Sequence, residues 1–246
     1  MSKKGKTVQG DLIFGIHPII ELLKAKRRKL ITLYTTKIKP KAFSKIEELI
    51  PKHVPIQYVS RDVLTKMVNG GDHQGFVAWV QAFPFRKKVF DPQKHTFLLM
   101  LDGIQDVGNL GAILRSAYCV GVDGIIITKK QSAPLNSTTI KASAGLAEHL
   151  EIYVSPSAQA TAQELKQAGY NLNLASFDGK DATIVQYDKP VCLVIGGEGA
   201  GISPAVYKYG QQVTLPQRTA DISYNASVAA GILLFLVSQK IKQSYA

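Results

Sequence analysis

The feature that constrains this chain most is a succession of short strand-like runs from residue 96 onward, several of them apolar at nearly every position. "TFLLMLD", "GIIIT", "LEIYV", "YNLNLAS", "PVCLVIGG" and "QQVTLP" follow one another, separated by polar turns or by stretches with helical spacing. A strand with one face in water alternates apolar and polar residues, so a run that is apolar throughout has to be covered on both faces. The sequence also supplies the cover. "NLGAILRSAYCVGV", "AQATAQELKQAG" and "SYNASVAAGILLFLVSQKI" carry apolar residues at helical intervals. Strands alternating with helices predict an α/β domain on a parallel sheet. Ligands of such sheets sit beyond the carboxyl ends of the strands. Three polar loops fall there, after "LLMLD", after "CLVIG" and after "VTLP".

The first part of the chain reads as a separate, smaller α/β unit. "IHPIIELLKA", "AFSKIEELI" and "RDVLTKMV" have helical patterns, and "LITLYTT", "VPIQYVS" and "FVAWVQAF" read as strands. "PFRKKVFDPQKH", residues 84–95, is charged, holds two prolines and lacks periodicity, which marks it as a linker between domains at 1–83 and 96–246. Charge separates the two parts as well. Residues 1–95 carry 19 Lys and Arg against 7 Asp and Glu, whereas residues 96–246 carry 11 of each. The excess concentrates in "KAKRRK" (Lys24 to Lys29) and "KIKPKAFSK" (Lys37 to Lys45). A basic cluster can be a solvated face, but a whole chain's excess on one domain favours a polyanion, and nucleic acid is the obvious one.

Several classes are excluded. The longest apolar run, "SVAAGILLFLV", is about half the roughly 20 residues of a membrane helix. "MSKKGKTVQG" has a basic start without an apolar core, so it is not a secretory signal. Cys119 and Cys192 sit in apolar sequence without metal-ligand spacing, which predicts buried free thiols in a reducing cytoplasm.

The three loops carry the candidate chemistry. In "LDGIQDVGNLGAILRSA", Asn109 stands where a helix begins, and a helix cap accounts for that residue type. Arg115 lies among Ile113, Leu114 and Ala117 and calls for an anionic partner or ligand. Asp102 and Asp106 lack a third ligand at metal spacing, so no metal is expected. In "VIGGEGAGIS", four glycines surround Glu198. No Gly-Lys-Ser/Thr follows and the spacing is not G-x-G-x-x-G. The carboxylate would repel a phosphate, so a cationic or neutral ligand, or a hydroxyl, suits the loop better. In "LPQRTADISYNASVAAG", Ser223, Asn225 and Ser227 alternate with Tyr224 and Ala226 at a helix start, again readable as caps.

Taken together, "NLGAILRSA", "IGGEGAGIS" and "LPQRTADISYNASVAAG" resemble motifs 1, 2 and 3 of the SPOUT superfamily, in its SpoU/TrmH branch of RNA ribose 2′-O-methyltransferases. "FGIHPIIELL" and "DHQGF" are similar to the amino-terminal RNA-binding domain, related to ribosomal protein L30e, of the branch that methylates large-subunit ribosomal RNA. With that domain included, the resemblance covers nearly the whole chain. It implies a fold that sequence physics would not predict, a parallel α/β sheet whose carboxyl end threads a loop to make a trefoil knot. It implies S-adenosyl-L-methionine as methyl donor, held at Gly196, Leu215 and Tyr224. It further implies a homodimer through the catalytic domain, with large-subunit (23S) rRNA as the RNA partner and a guanosine as target. Tyr224 departs from the family pattern, standing where a leucine is usual. His17 and His73 fall in the first domain's motifs, where a structural role is expected.

Under this resemblance the glycines let the loop wrap an adenosyl group through main-chain groups. Glu198 is expected to order Arg115, Asn109 or neighbouring backbone, or to act at the ribose. The 2′-oxygen attacks the methyl carbon in line. Motif resemblance casts Arg115 as general base. A guanidinium, with a pKa above about 12, is better suited to gripping the target phosphate and stabilising the developing oxyanion. Asn109, Glu198 and Asn225 then fix the geometry. Two alternatives share the fold: a tRNA or thiopeptide-resistance-type rRNA adenosine 2′-O-methyltransferase, and a catalytically silent RNA-binding assembly factor.

Overall fold

The structure is a computed structural model that describes residues 10–218 and 224–243. Along the chain run β1 (Gly10–Phe14), α1 (Ile16–Ala25), β2 (Leu30–Thr36), α2 (Ser44–Glu47), β3 (Ile56–Val59), α3 (Arg61–Met67) and β4 (Phe76–Gln81). Then follow β5 (Phe97–Asp102), α4 (Val107–Val120), β6 (Gly124–Thr128), α5 (Ser137–Ala142), β7 (Ile152–Ser155) and α6 (Ala158–Gln167). The chain closes with β8 (Asn171–Asp181), β9 (Val191–Gly196), β10 (Gln211–Thr214) and α7 (Ala226–Gln243). These elements form two units. One extends to Pro84 and takes in Leu135–His149, and the other comprises Phe85–Pro134 and the chain from Leu150 onward.

In the first unit the strands lie in the order β1-β4-β2-β3, with β4 antiparallel to β1 and β2, and β3 parallel to β2. The core is aliphatic and aromatic: Ile13, Ile19, Leu22, Leu33, Ile46, Leu64 and Phe76 are buried. β1, which no sequence pattern singled out, pairs with β4 along its length. The helix expected over "AFSKIEELI" is cut short, with a 3-10 turn at Lys41–Phe43 leading into the single turn of α2. α5 was likewise not legible; Asn136 caps it, accepting the N–H groups of Thr138 and Thr139.

The "KAKRRK" cluster is divided by the fold. Lys24, Lys26 and Lys29 are exposed, whereas Arg28 is buried. Its guanidinium grips Glu148 through Nε (2.8 Å) and Nη2 (2.5 Å), and Nη1 reaches Asp11 (2.8 Å) and the Gln81 carbonyl (3.0 Å). His73 is also buried. Its Nδ1 accepts the Gly75 N–H (3.0 Å), which leaves Nε2 to donate to Thr65 Oγ1 (3.2 Å). Burial, helped by the charge of Arg61, holds its pKa below the usual imidazole value. His17 is exposed at the start of α1.

The second unit holds a six-stranded sheet in the order β10-β8-β9-β5-β6-β7, parallel throughout. Its core includes Leu98, Met100, Ile126, Leu165, Leu174, Cys192 and Val194. Phe90, from the charged segment 84–95, is buried with them, and Arg86 N–H donates to the Ile152 carbonyl (2.8 Å) beside an Arg86–Glu151 ion pair. β8 runs five residues past the "YNLNLAS" reading, to Asp181, and its far end pairs with β10 after a register shift. Of the two cysteines expected to be buried, Cys192 is, and burial pushes its thiol pKa up. Cys119 is exposed, because it lies on the face of α4 opposite Leu110, Ile113, Leu114 and Ala117.

Candidate active site

The three polar loops meet at the carboxyl ends of β5, β9 and β10. The glycine loop after β9 is folded back tightly on itself. Gly197 and Gly201 form an antiparallel bridge, with Gly201 N–H donating to the Gly197 carbonyl (2.9 Å). A Cβ on Gly196 would stand 2.1 Å from the Gly201 carbonyl carbon, and one on Gly197 would stand 2.0 Å from the Gly103 carbonyl oxygen. No side chain fits at either position, so the glycines answer to close passage of backbone over backbone. Asp102 fastens the loop at both ends. Its main-chain carbonyl accepts Gly197 N–H (2.9 Å), and its buried carboxylate accepts Ser203 N–H (2.8 Å).

This fastening presents Glu198 to two asparagines from the other loops. Glu198 Oε1 accepts Asn109 Nδ2 (2.7 Å) and Asn225 Nδ2 (3.2 Å), and Asn225 Nδ2 also reaches Asn109 Oδ1 (3.1 Å). Each asparagine is turned by its own helix. Asp106, not Asn109, caps α4: its Oδ1 accepts the Asn109 main-chain N–H (2.7 Å), leaving the Asn109 amide free for Glu198. Asn225 does act as a cap, its Oδ1 accepting Ser227 N–H (2.9 Å) and Ser227 Oγ–H (2.6 Å). With the oxygen committed to the helix, the amide nitrogen has to face Glu198. Asn225 therefore caps α7 with its oxygen and meets Glu198 with its amide nitrogen. Ser223 lies outside the described residues.

Two clefts adjoin at this cluster. The first, about 280 Å³, is lined by Gly196, Gly197, Gly199, Leu215 and Tyr224, with Ile195, Val213 and Leu233 supplying apolar wall. The second is lined by Ile104, Gln105, Asp106 and Asn109. Glu198 and Ala226 belong to both and form the divide. Asp102 and Asp106, weighed in the sequence as a metal pair, are committed to main-chain N–H groups instead.

Arg115 is not brought to this cluster. Six residues of helix carry it about 9 Å along α4 and about 240° round from Asn109. It is exposed and makes no hydrogen bond or ion pair among the described residues. Its apolar sequence neighbours turn the other way, into the core. Alongside it α4 packs against α7, where Gly231 faces Ser116. Here Tyr118, Val228, Ile232 and Phe235 are exposed, with Phe235 57 % accessible. Sequence reasoning missed two residues, Asp102 as the loop's fastening and Asp106 as the cap. The signal for the second was available in "DVGN", an N-cap aspartate set three residues before Asn109.

The chain's similarities run along most of its length. Residues 96–235 match the SpoU rRNA methylase family. Residues 12–86 match the domain described as RNA 2′-O ribose methyltransferase substrate binding. The chain is 35 % identical over 242 residues to the putative TrmH family tRNA/rRNA methyltransferase YacO of Bacillus subtilis, covering 94 % of this chain and 96 % of that one. It is 30 % identical over 243 residues to the 23S rRNA (guanosine-2′-O-)-methyltransferase RlmB of Haemophilus influenzae, covering 94 % and 98 %. An AdoMet-bound rRNA methyltransferase from Sinorhizobium meliloti shares the fold, with a TM-score of 0.79 at 22 % identity over 94 % of this chain and 87 % of that one.

Proposed function

The chain belongs to the SpoU rRNA methylase family, S-adenosylmethionine-dependent RNA 2′-O-methyltransferases, and from that premise we propose that its target is a guanosine of large-subunit ribosomal RNA. The reading is supported by similarity over almost the full chain to a 23S rRNA guanosine methyltransferase. A basic first unit suits a bulky RNA. The observation that carries the site assignment is the Glu198 carboxylate at the divide between two clefts, held there by Asn109 and Asn225.

The first cleft is the cofactor's. Its rim includes Gly196, Gly197 and Leu215, its wall is apolar, and among the described residues lining it the charged one is Glu198, an arrangement that suits an adenosyl sulfonium and repels a phosphate. When bound, S-adenosylmethionine supplies a methyl group on a positively charged sulfur that leaves as a neutral thioether. Gly196, Leu215 and Tyr224 hold it. The second cleft would take the ribose, on the other side of Glu198 from the cofactor's cleft, and the bound donor would supply the methyl group to its 2′-oxygen. Asn109 and Asn225 fix the Glu198 carboxylate between the two reactants, and this positioning lowers the barrier without covalent help from the protein. The proton of the 2′-hydroxyl would pass to solvent water.

Arg115 completes the site from a second copy of the chain. Within one copy it faces away from Asn109, and it lies beside the exposed apolar stripe of α4 and α7. A homodimer through this face buries the stripe and brings a guanidinium to grip the target phosphate and stabilise the developing oxyanion. Among the described residues no helix is long and apolar enough to cross a membrane. A ribosomal RNA substrate and an unpaired buried thiol at Cys192 fit the cytoplasm.

The test is methyl transfer from labelled S-adenosylmethionine to total ribosomal RNA and, separately, to tRNA, with the product mapped by resistance to alkaline hydrolysis. Label at one large-subunit guanosine supports the proposal. Label in tRNA or at an adenosine replaces the substrate, and cofactor binding without transfer to naked RNA or to ribosome assembly intermediates favours a silent RNA-binding factor.

A further inference from the structure

The cleft assigned to the ribose has the wrong charge for a nucleotide. Among the described residues lining it, Asp106 and Glu198 are acidic and none is a lysine or arginine. The amino end of α4, which could otherwise face a phosphate, is occupied by the Asp106 carboxylate. Arg115 of the same copy lies round the far side of the helix. A ribose inside an RNA strand carries a phosphate on each side, so seating it here brings at least two anions close to two carboxylates. Arg115 of a second copy meets one of these phosphates, and counter-charge for the other has to come from what borders the cleft.

One border is the turn after β6. Lys129, Lys130 and Gln131 are exposed on it, and Gln131 adopts a left-handed conformation (φ 53°) that makes the turn sharp. The turn is fastened on both sides. Lys129 N–H donates to the Ser155 carbonyl (2.7 Å) at the end of β7, and Ala133 N–H donates to the carbonyl of Ile104 (2.7 Å), a residue of the cleft wall. Thr128 Oγ1 accepts Gly103 N–H (3.1 Å), and Ser132 Oγ lies 3.2 Å from that hydroxyl. Main-chain bonds therefore fix the turn against the 103–104 segment, while the two lysine side chains make no hydrogen bond or ion pair among the described residues.

We propose that Lys129 and Lys130 form a phosphate clamp for the target RNA strand at the mouth of the ribose cleft, offsetting Asp106 and Glu198 so that the target nucleotide can be seated. The inference rests on the ribose 2′-O-methyltransferase reading of the site. Both side chains are positioning groups that touch the strand beside the reacting ribose, and neither contacts the reacting atoms.

The experiment compares the full-length wild type with Lys129→Ala/Lys130→Ala and Lys129→Arg/Lys130→Arg. Binding of an unmodified large-subunit rRNA transcript is measured by fluorescence anisotropy over a salt series, with S-adenosylmethionine affinity and methyl transfer measured in parallel. The alanine pair is expected to weaken RNA binding about tenfold at low salt and to flatten the log–log salt slope by about 1–2. KM for RNA rises while kcat stays within about twofold, S-adenosylmethionine affinity is unchanged, and the arginine pair restores binding. RNA affinity and salt slope equal to wild type in the alanine pair overturn the clamp and leave the methyltransferase reading intact. A wild type that transfers no methyl to the transcript counts against that reading instead, while the ratio of RNA affinities still decides the clamp.

Discussion

Arg28 and Arg115 come from opposite surroundings in the sequence and end in opposite surroundings in the structure. Arg28 lies in "KAKRRK", which reads as part of a basic surface for a polyanion, and Arg115 lies between apolar residues and reads as an arginine in need of an anion. In the fold Arg28 is 6 % exposed and holds Glu148, Asp11 and the Gln81 carbonyl, while Arg115 is exposed and holds nothing among the described residues. For Arg115 the linear neighbourhood says little, because adjacent side chains on a helix point about 100° apart, and Arg28, in the bend after α1, is set by partners remote in sequence. The donors that a guanidinium leaves unused in its own chain are the better guide. Arg28 has spent its donors on folding, and Arg115 leaves its own unused among the described residues.

The largest effect should follow from breaking the first of these. Arg28→Ala leaves Glu148, from the Leu135–His149 segment, buried and unpaired, and is expected to cost the first unit about 3–5 kcal/mol. Trp79, the chain's one tryptophan, lies in β4 of that unit, so urea melts followed by its fluorescence read the loss directly. Arg28→Met with Glu148→Leu should recover most of it, since removing both charges leaves neither stranded. A single variant as stable as wild type would mean that water reaches the pair and that Arg28 is not a folding residue.

Arg115→Ala should invert that signature. Stability stays within about 0.5 kcal/mol, as for other exposed positions, while kcat falls about 10²–10³-fold through loss of oxyanion stabilisation. Arg115→Lys is expected to fall between, because a lysine lacks the bidentate fork. Mixing subunits that carry Arg115→Ala with subunits that carry Asn225→Ala should regain activity if the arginine serves the partner's site. No recovery in verified heterodimers would place both groups in one copy and remove the role across the dimer.

The contrast also shows what was legible beforehand. Both helix and strand patterns read well where burial sets the period: "IHPIIELLKA", "LITLYTT" and "GIIIT" coincide with α1, β2 and β6. They failed where partners are remote. Nothing in "GDLIF" announces that β4 lies beside it, and α5 depends on a cap at Asn136 that resembles any loop asparagine. At the site, residue types were readable and directions were not. Asn109 looked like a cap because it sits near a helix start, but Asp106 caps that helix and turns Asn109 toward Glu198. Bonds such as Ser203 N–H to Asp102, spanning 101 residues, leave no local trace.

Glu198 sharpens the comparison at smaller scale, because its Oε1 is satisfied by two amides while Oε2 accepts no hydrogen bond among the described residues. Glu198→Gln keeps an acceptor for Asn109 and Asn225 and removes the charge. An oriented acceptor alone predicts a loss of no more than about tenfold in kcat with unchanged stability, whereas a proton acceptor predicts about 10²–10⁴-fold and an altered pH–rate profile. Near-normal methylation would confine Glu198 to ordering the loops.

The smallest effect concerns a buried base with no carboxylate to hold. Arg28 is held by Glu148 and Asp11, whereas His73 accepts Gly75 N–H, faces the charges of Arg61 and Lys141, and has Asp72 as the opposing acid. Burial, the largest cause, lowers its folded pKa from 6.5, so the folded protein favours neutral His73. Above pH 6.5 neither the folded nor the unfolded state carries the proton, and the full stability is present. As pH falls below that value the unfolded chain takes up a proton that the folded chain refuses, and stability declines until the folded pKa is reached. Trp79-monitored melts of wild type and His73→Asn should therefore diverge in slope between pH 6.5 and the lowered folded value, the wild type losing stability more steeply. Parallel slopes would show that His73 is as open to protons in the fold as in the unfolded chain, and that the Thr65–His73–Gly75 bonds do not depend on a neutral ring.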